Sequence, residues 1–279
     1  MRAAVVTCLL LGGCHGPAAG PATPGAAAVE AEASEPDPGP PDVSGIDVVC
    51  GTGSADAARL FSQGVAAFEE RGDPVEAERA YRAALVFDPR YCDAMDNLAV
   101  VLRRAGRLDE AVALYQRSLG MEPANQFAWQ NLGVAYLKQG RLADADRCYQ
   151  QLIALADANP EGWFGRGQVA YLDDRFADAI AALEQARARY LARGDAALRA
   201  DAELLLGLAA AGAGDHARVR TYLDPHAARV ADRPDANLAL GAAFLDADGR
   251  DLAKARRYLT AARALGAAVP PAQWAAVAP

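Results

Sequence analysis

Residues 92–125 (CDAMDNLAVVLRRAGRLDEAVALYQRSLGMEPAN) and 126–159 (QFAWQNLGVAYLKQGRLADADRCYQQLIALADAN) are one unit of 34 residues written twice. Met95, Leu98, Ala99, Leu102, Gly106, Ala111, Tyr115 and Pro123 recur one period later as Trp129, Leu132, Gly133, Tyr136, Gly140, Ala145, Tyr149 and Asp157, and only the last changes character. A fixed period of this length belongs to chains of stacked supersecondary units, each touching only its neighbours and adding to one elongated core.

Trp129-x-x-Leu132-Gly133-x-x-Tyr136 followed by Ala145-x-x-x-Tyr149 resembles the tetratricopeptide repeat. The resemblance covers most of the chain after about residue 55. It implies an all-α solenoid of helical hairpins, about five to six repeats over residues 51–266, with residues 267–279 as a C-terminal tail or cap. Each unit is then two antiparallel helices joined at Gly72, Gly106 or Gly140, where glycine tolerates the left-handed conformation that ends a helix. Ala77, Ala99, Ala111, Gly133 and Ala145 fall where the two helices press together, and Tyr81, Tyr115 and Tyr149 fill the space toward the next unit. Pro89 and Pro123 stop the second helices.

The frame extends in both directions. Ala58 to Tyr91 fits it through Phe61, Phe68, Gly72, Ala77, Tyr81, Ala84 and Pro89, but Gly64 and Val65 invert the large-then-small pair, so the first helix is expected to pack imperfectly. A fourth unit, Pro160 to about Arg193, has Trp163, Gly167, Phe176, Ala179 and Ala186, with Asp174 replacing the turn glycine and Leu183 the aromatic. Six residues intervene before a fifth unit near Ala200, with Leu206-Gly207, a turn at Gly214, Leu223, and Pro225 interrupting its second helix. A degenerate sixth runs from Pro234 through Leu240-Gly241, Phe244, Gly249, Tyr258 and Ala262, ahead of Val269-Pro270-Pro271 and Trp274. Fading toward the end suits terminal repeats, which present one face to water. Gly51-Thr52-Gly53 lacks the lysine of a phosphate loop and reads as a helix start with Ser54 as N-cap.

Ahead of the repeats, Met1 and Arg2 precede a nine-residue apolar run, Ala3 to Leu11. A bilayer-spanning helix needs about 20 residues, so this run fits the apolar region of a secretory signal instead. Leu11-Gly12-Gly13-Cys14 resembles a bacterial lipobox. That resemblance implies a lipoprotein signal peptide at 1–13 and Cys14 as the lipidated first residue; an ordinary signal peptide cleaved nearby, with Cys14 incidental, is the alternative. Acyl chains, worth about 0.8 kcal/mol per buried methylene, would hold the protein on a membrane without a transmembrane helix. Residues 14–50, crowded with Pro, Ala, Gly and Glu, cannot bury enough surface to offset their ordering entropy and read as a disordered tether. The expected location is the bacterial cell envelope, lipid-anchored, on the outer membrane facing the periplasm.

The chain of 279 residues is 52% apolar, and 28 basic against 36 acidic residues leave a net charge of -8. A nucleic-acid partner is disfavoured, because it calls for a basic stripe that replaces counterions along phosphates. Neither an enzyme nor a cofactor, metal or small-molecule substrate is expected. His15 lies in the tether, and His216 and His226 have no serine or cysteine motif nearby and read as solvated helix residues. Removal of the signal and lipidation leave Cys50, Cys92 and Cys148. In the parallel stack that the repeat resemblance implies, Cys50 and Cys92 stand at neighbouring helix ends; a disulfide between them and two free thiols both remain open. Cys148, beside Tyr149, reads as a small packed residue.

Tetratricopeptide solenoids usually bind extended peptides or helices along a concave face lined by the first helix of each unit. Carried over to this sequence, that face holds Asp93, Asp96, Asn97, Val100 and Arg103 in the second unit. It continues with Phe127, Gln130, Asn131, Val134 and Lys138 in the third, and Phe164, Gln168 and Tyr171 in the fourth. Phe127, Val134, Phe164 and Tyr171 read either as groove anchors or as plugs of the adjacent helix pair. The family's carboxylate-gripping version needs basic groups where Ser62, Ala66, Phe127 and Asn131 stand, so a peptide or helix with apolar anchors fits better. The expected role is a membrane-anchored scaffold that recruits or helps assemble an envelope protein complex. In layout it is similar to the pilotin lipoproteins that help secretin rings of type IV pilus systems assemble. An adaptor of the peptidoglycan-synthesis machinery is the alternative, and an enzyme subunit a further one.

Overall fold

The computed structural model describes residues 50–278; the signal peptide at 1–13, Cys14 and all of the tether but Cys50 lie outside them. The described residues form thirteen α-helices and no strand. Twelve pair into six hairpins: α1 (Ala55–Val65) with α2 (Pro74–Phe87), α3 (Cys92–Arg104) with α4 (Leu108–Met121), α5 (Gln126–Lys138) with α6 (Leu142–Leu155), α7 (Pro160–Leu172) with α8 (Phe176–Arg193), α9 (Ala196–Ala213) with α10 (His216–Tyr222), and α11 (Pro234–Ala243) with α12 (Leu252–Ala264). A last short helix, α13 (Pro271–Val277), packs on α12. No helix among the described residues is long and apolar enough to cross a membrane.

Five of the six hairpins close where the sequence places a turn residue in left-handed backbone, and the sixth closes through a 3₁₀ turn at Ala247–Gly249. Gly72, Gly106, Gly140 and Gly214 have φ between 63° and 79°, and Asp174 takes the same conformation at φ 55°. Polar side chains cap the helix starts: Ser54 Oγ accepts from Ala57 N at 3.2 Å, and Asn125 Oδ1 from Ala128 N at 3.1 Å. Trp129 and its counterpart one period on, Trp163, each donate an indole N–H to a loop carbonyl, of Pro123 (2.8 Å) and Asp157 (3.1 Å). The repeat thus reproduces individual hydrogen bonds as well as helices.

One contact recurs through the stack. A glycine on the first helix lies bare against a large side chain on the second: Gly133 with Tyr149, Gly167 with Leu183 and Gly207 with Leu223, each pair sixteen residues apart, a spacing shared by Ala99 and Tyr115 within the same core cluster. A Cβ added at Gly133 would come within 2.8 Å of the Tyr149 ring, and one at Gly167 within 2.5 Å of Leu183. Tyr149 also presses on Gly165 of the following unit, so one ring joins two hairpins.

The two end units depart from that spacing. Gly64 and Tyr81 are seventeen residues apart, and the extra residue is absorbed by a π-helical turn at Ala66–Glu70, since an i→i+5 turn takes up one residue more than an α turn. Imperfect packing of the first helix therefore appears as a change of helix pitch. In the sixth unit Leu259, and not Tyr258, meets Gly241. Tyr258 instead stacks on Phe244 and donates its hydroxyl to Asp224. The gap of six residues expected before the fifth unit is also corrected. Helix α9 starts at Ala196 and takes up four of the six, leaving only Gly194 and Asp195 between it and α8.

First helices of successive units touch each other (α3 with α5, α5 with α7, α7 with α9, α9 with α11), and no two successive second helices pack to a comparable extent. The first helices therefore line the inner, concave side. The core divides along the stack. One cluster, through Val169, is built around Tyr81, Tyr115, Tyr136 and Tyr149; the other, from Ala170 onward, around Leu204, Leu206, Leu223, Leu240 and Leu259.

Candidate functional site: the concave groove

In the second and third units the groove is polar with one apolar projection. Phe127, in the first turn of α5, is 46% exposed. Val100, Val134 and Gln130 are half-buried beside it. At the other end of these helices Arg103 donates Nη2–H to Asn131 Oδ1 at 3.2 Å, and Arg104 lies over the Phe68 ring at 4.7 Å. Burial, together with the charges of Arg103 and Arg104, holds the Lys138 ammonium below its ordinary range. None of these three cations is paired with a carboxylate among the described residues. The groove here thus offers an unneutralised basic end and an aromatic anchor.

Several expected contact residues are turned inward. Asp96 is 2% exposed and accepts a hydrogen bond from Asn125 Nδ2 at 2.6 Å, at the junction of the second and third units. Burial is the main cause that pushes its carboxyl up to about 6, with Asp93 and Glu122 adding to it against the hydrogen bonds of Ser118 and Asn125. Asn131 and Gln168 are 9% and 4% exposed. Asn97 and Asn131 spend an amide N–H on the carbonyl four residues earlier, those of Asp93 and Phe127. Phe164 packs edge-on against Tyr190, 6.1 Å between centroids, which is the plug reading of that residue. Asp93 remains exposed, and Tyr171 half-buried.

The fourth to sixth units hold a cleft of about 400 Å³ on the same face, lined by Tyr171, Phe176, Leu208, Leu238 and Ala242. The groove reading from sequence stopped at Tyr171 and missed this part. The repeat frame reaches it: shifting from Gly133 to Gly207 and Gly241 puts Leu208 and Ala242 at the place of Val134, and Leu238 at that of Gln130. The faded match hid a signal that the two glycines retain.

The late histidines each face a carboxylate; His226 is largely covered, while His216 stays partly solvated. His226 Nε2 is 3.1 Å from Glu203 Oε2, and His216 Nδ1 is 3.4 Å from Asp246 Oδ2. His226 joins the short 3₁₀ turn at Asp224–Val230, which Pro225 forces on the chain, to α9, a structural use that explains a histidine without nearby nucleophiles. Cys148 is buried in the first core cluster, and Cys50 and Cys92 are free thiols at the start of the stack.

Residues 65–128 and 102–164 each match the tetratricopeptide repeat family. With six hairpins stacked in series, the described residues form a tetratricopeptide-repeat solenoid, a fold that supports binding of protein or peptide partners. Among solved structures it is similar to PilF of Pseudomonas aeruginosa, at 19% identity over 76% of this chain and 93% of that one, with a TM-score of 0.62. It is also similar to a chain of the APC/C hetero-tetramer Cut9–Hcn1, at 17% identity and a TM-score of 0.59, covering 80% of this chain and 42% of the length of that one. YrrB, described as a repeat protein with an unusual peptide-binding site, matches at 17% identity over 68% of this chain and 94% of its own, with a TM-score of 0.55. Identities this low show the fold alone. No curated protein matches the chain in sequence.

Proposed function

We propose that this protein is an envelope lipoprotein, anchored through Cys14, whose concave groove recruits a protein partner during assembly of an envelope complex. The observation that carries the recognition part is Phe127, an aromatic side chain left exposed on the concave face at one end of α5, with Arg103 and Lys138, cations without a carboxylate partner, toward the other end. A buried core has no use for it there, and a charged face without carboxylate partners suits an acidic segment. The occupant that fits is an extended or helical segment with an apolar anchor for Phe127 and Val134, a carboxylate for Arg103 and Lys138, and further apolar side chains for the cleft at Leu208 and Leu238. From α5 to α11 the groove spans three helix-to-helix steps of roughly 8–10 Å, the reach of about nine extended residues. Pilus assembly is the setting we favour, because the order of lipobox, tether and repeats is similar to pilotin lipoproteins and the solenoid is similar to PilF over most of its length.

Phe127→Ala combined with Lys138→Glu is expected to reduce partner recovery at least tenfold while circular dichroism stays unchanged. Phe164 is left intact because it packs on Tyr190. Undiminished recovery would refute the groove assignment. Cys14→Ser is expected to move the protein from the membrane to the soluble fraction, and unchanged membrane association would refute the anchor.

A further inference from the structure

Cys50 and Cys92 are brought together by features that have no part in the groove. Thr52 donates its hydroxyl to Asp88 Oδ2 at 2.5 Å, and Ser54 N–H donates to Thr52 Oγ1 at 3.0 Å. These bonds hold the strap 50–54 against the turn between α2 and α3. Cys92 opens α3, so the strap delivers one cysteine to the other: the two sulfurs and a Glu122 carboxylate oxygen all lie within 4.8 Å of one another. Cys148 is buried elsewhere and cannot compete for either.

We propose that Cys50 and Cys92 form a disulfide that staples the start of the solenoid to its second unit. The loop it closes holds the whole first unit, the one whose helix needs a π turn to reach register. It also fixes the point where the preceding segment leaves the stack, so that tension on residues before Cys50 passes directly into α3. A metal is the weaker occupant of this place, because three ligand groups converge where a structural zinc takes four. Burial raises both thiols, with Glu122 adding to the effect at each; this slows the attack that forms a disulfide, but the disulfide once formed carries no charge to bury, whereas a bound metal would hold both groups as thiolates.

Bond formation takes an external disulfide as oxidant. The half-buried Cys50 loses its proton and its sulfur attacks one sulfur of that disulfide, releasing one thiol. Cys92 then loses its proton and displaces the second thiol from Cys50. Two electrons and two protons pass to the external disulfide, which leaves as two thiols. The supply of such an oxidant in the cell rests on the envelope location proposed above; the geometry does not.

The test is to incubate the full chain carrying Cys14→Ser with oxidised glutathione and map its unreduced peptides by mass spectrometry. The expected result is a linked Cys50–Cys92 peptide pair with Cys148 free, and an unfolding midpoint roughly 5–10 °C higher than that of the reduced protein. Cys50→Ser and Cys92→Ser should each abolish that difference. Thiols that stay unlinked, a stable glutathione adduct at Cys50, or a chelator-sensitive gain of one zinc would each overturn the proposal. A bond that forms with glutathione but is absent from protein isolated from its own cells would support the staple and count against the envelope location.

Discussion

The first three units and the last three close the same kind of hairpin with different side chains. In the first half a tyrosine ring lies on a bare Cα, as Tyr149 does on Gly133; in the second a leucine does, as Leu223 on Gly207 and Leu259 on Gly241. A ring is long enough to reach beyond its own hairpin, and Tyr149 presses on Gly165 of the next unit. The leucine half joins its units through a run of apolar side chains on α9, Leu204 to Leu208, instead. The groove above follows the same division. Over the tyrosine half it is polar, with Arg103, Lys138 and one exposed ring, Phe127; over the leucine half it becomes an apolar cleft. One architecture therefore carries two recognition chemistries, because contacts that close the hairpins leave the concave positions free to vary.

The largest effect is expected from breaking the ring that joins two units. Tyr149→Ala should cost about 3–5 kcal/mol, as large-to-small aromatic changes in cores do, and should loosen both the third and fourth units in hydrogen exchange. Leu223→Ala should cost about 2–5 kcal/mol, with the loss confined to the fifth unit and its immediate contacts. Tyr149→Phe sharpens the point. The Tyr149 hydroxyl is buried without a hydrogen-bond partner, so its removal should leave stability unchanged or raise it by about 1 kcal/mol. A large loss in Tyr149→Phe would show that the hydroxyl, and not the ring, holds the units together.

The polar seam of the first half has a pH signature of its own, opposite in sign to that of the lowered carboxylates Glu203, Asp224 and Asp235 in the second half. Asp96 titrates near 6 in the folded chain, against roughly 3.9 for an unfolded aspartate. Between these values the folded state keeps a proton that the unfolded state has lost, so the Asp96 contribution to stability is most favourable below about pH 4 and declines as pH rises through about 6. A shift of this size corresponds to roughly 3 kcal/mol. Asp96→Asn can still accept from Asn125 Nδ2, and should remove this slope and raise stability at pH 7. Denaturant midpoints from pH 4 to 7 check it, and an unaltered slope would assign the pH dependence to another group.

The sequence made the stack legible because the constraint repeats: a small residue, a large one sixteen positions later, and a left-handed turn between them. Asp174 could be read as a turn residue only because Gly106 and Gly140 had fixed what its place requires. What escaped were features that arise once. The π turn answers a one-residue slip at Gly64, the early start of α9 takes up residues that no repeat governs, and Asp96 turns inward to Asn125, the last residue of its own unit. For the groove, position could be projected but exposure could not. Phe127 and Phe164 occupy comparable faces of successive first helices, yet Tyr190 claims Phe164, while Phe127 stays open to solvent.

The proposed centre of recognition is Phe127 on the inner face. Its most direct test is a photo-crosslinking residue placed, in separate chains, at Phe127 and at Val86, which is 79% exposed on the second helix of the first unit. Capture of one discrete partner from position 127, with little or none from 86, is the predicted result. Equal or stronger capture of that partner from position 86 would contradict it.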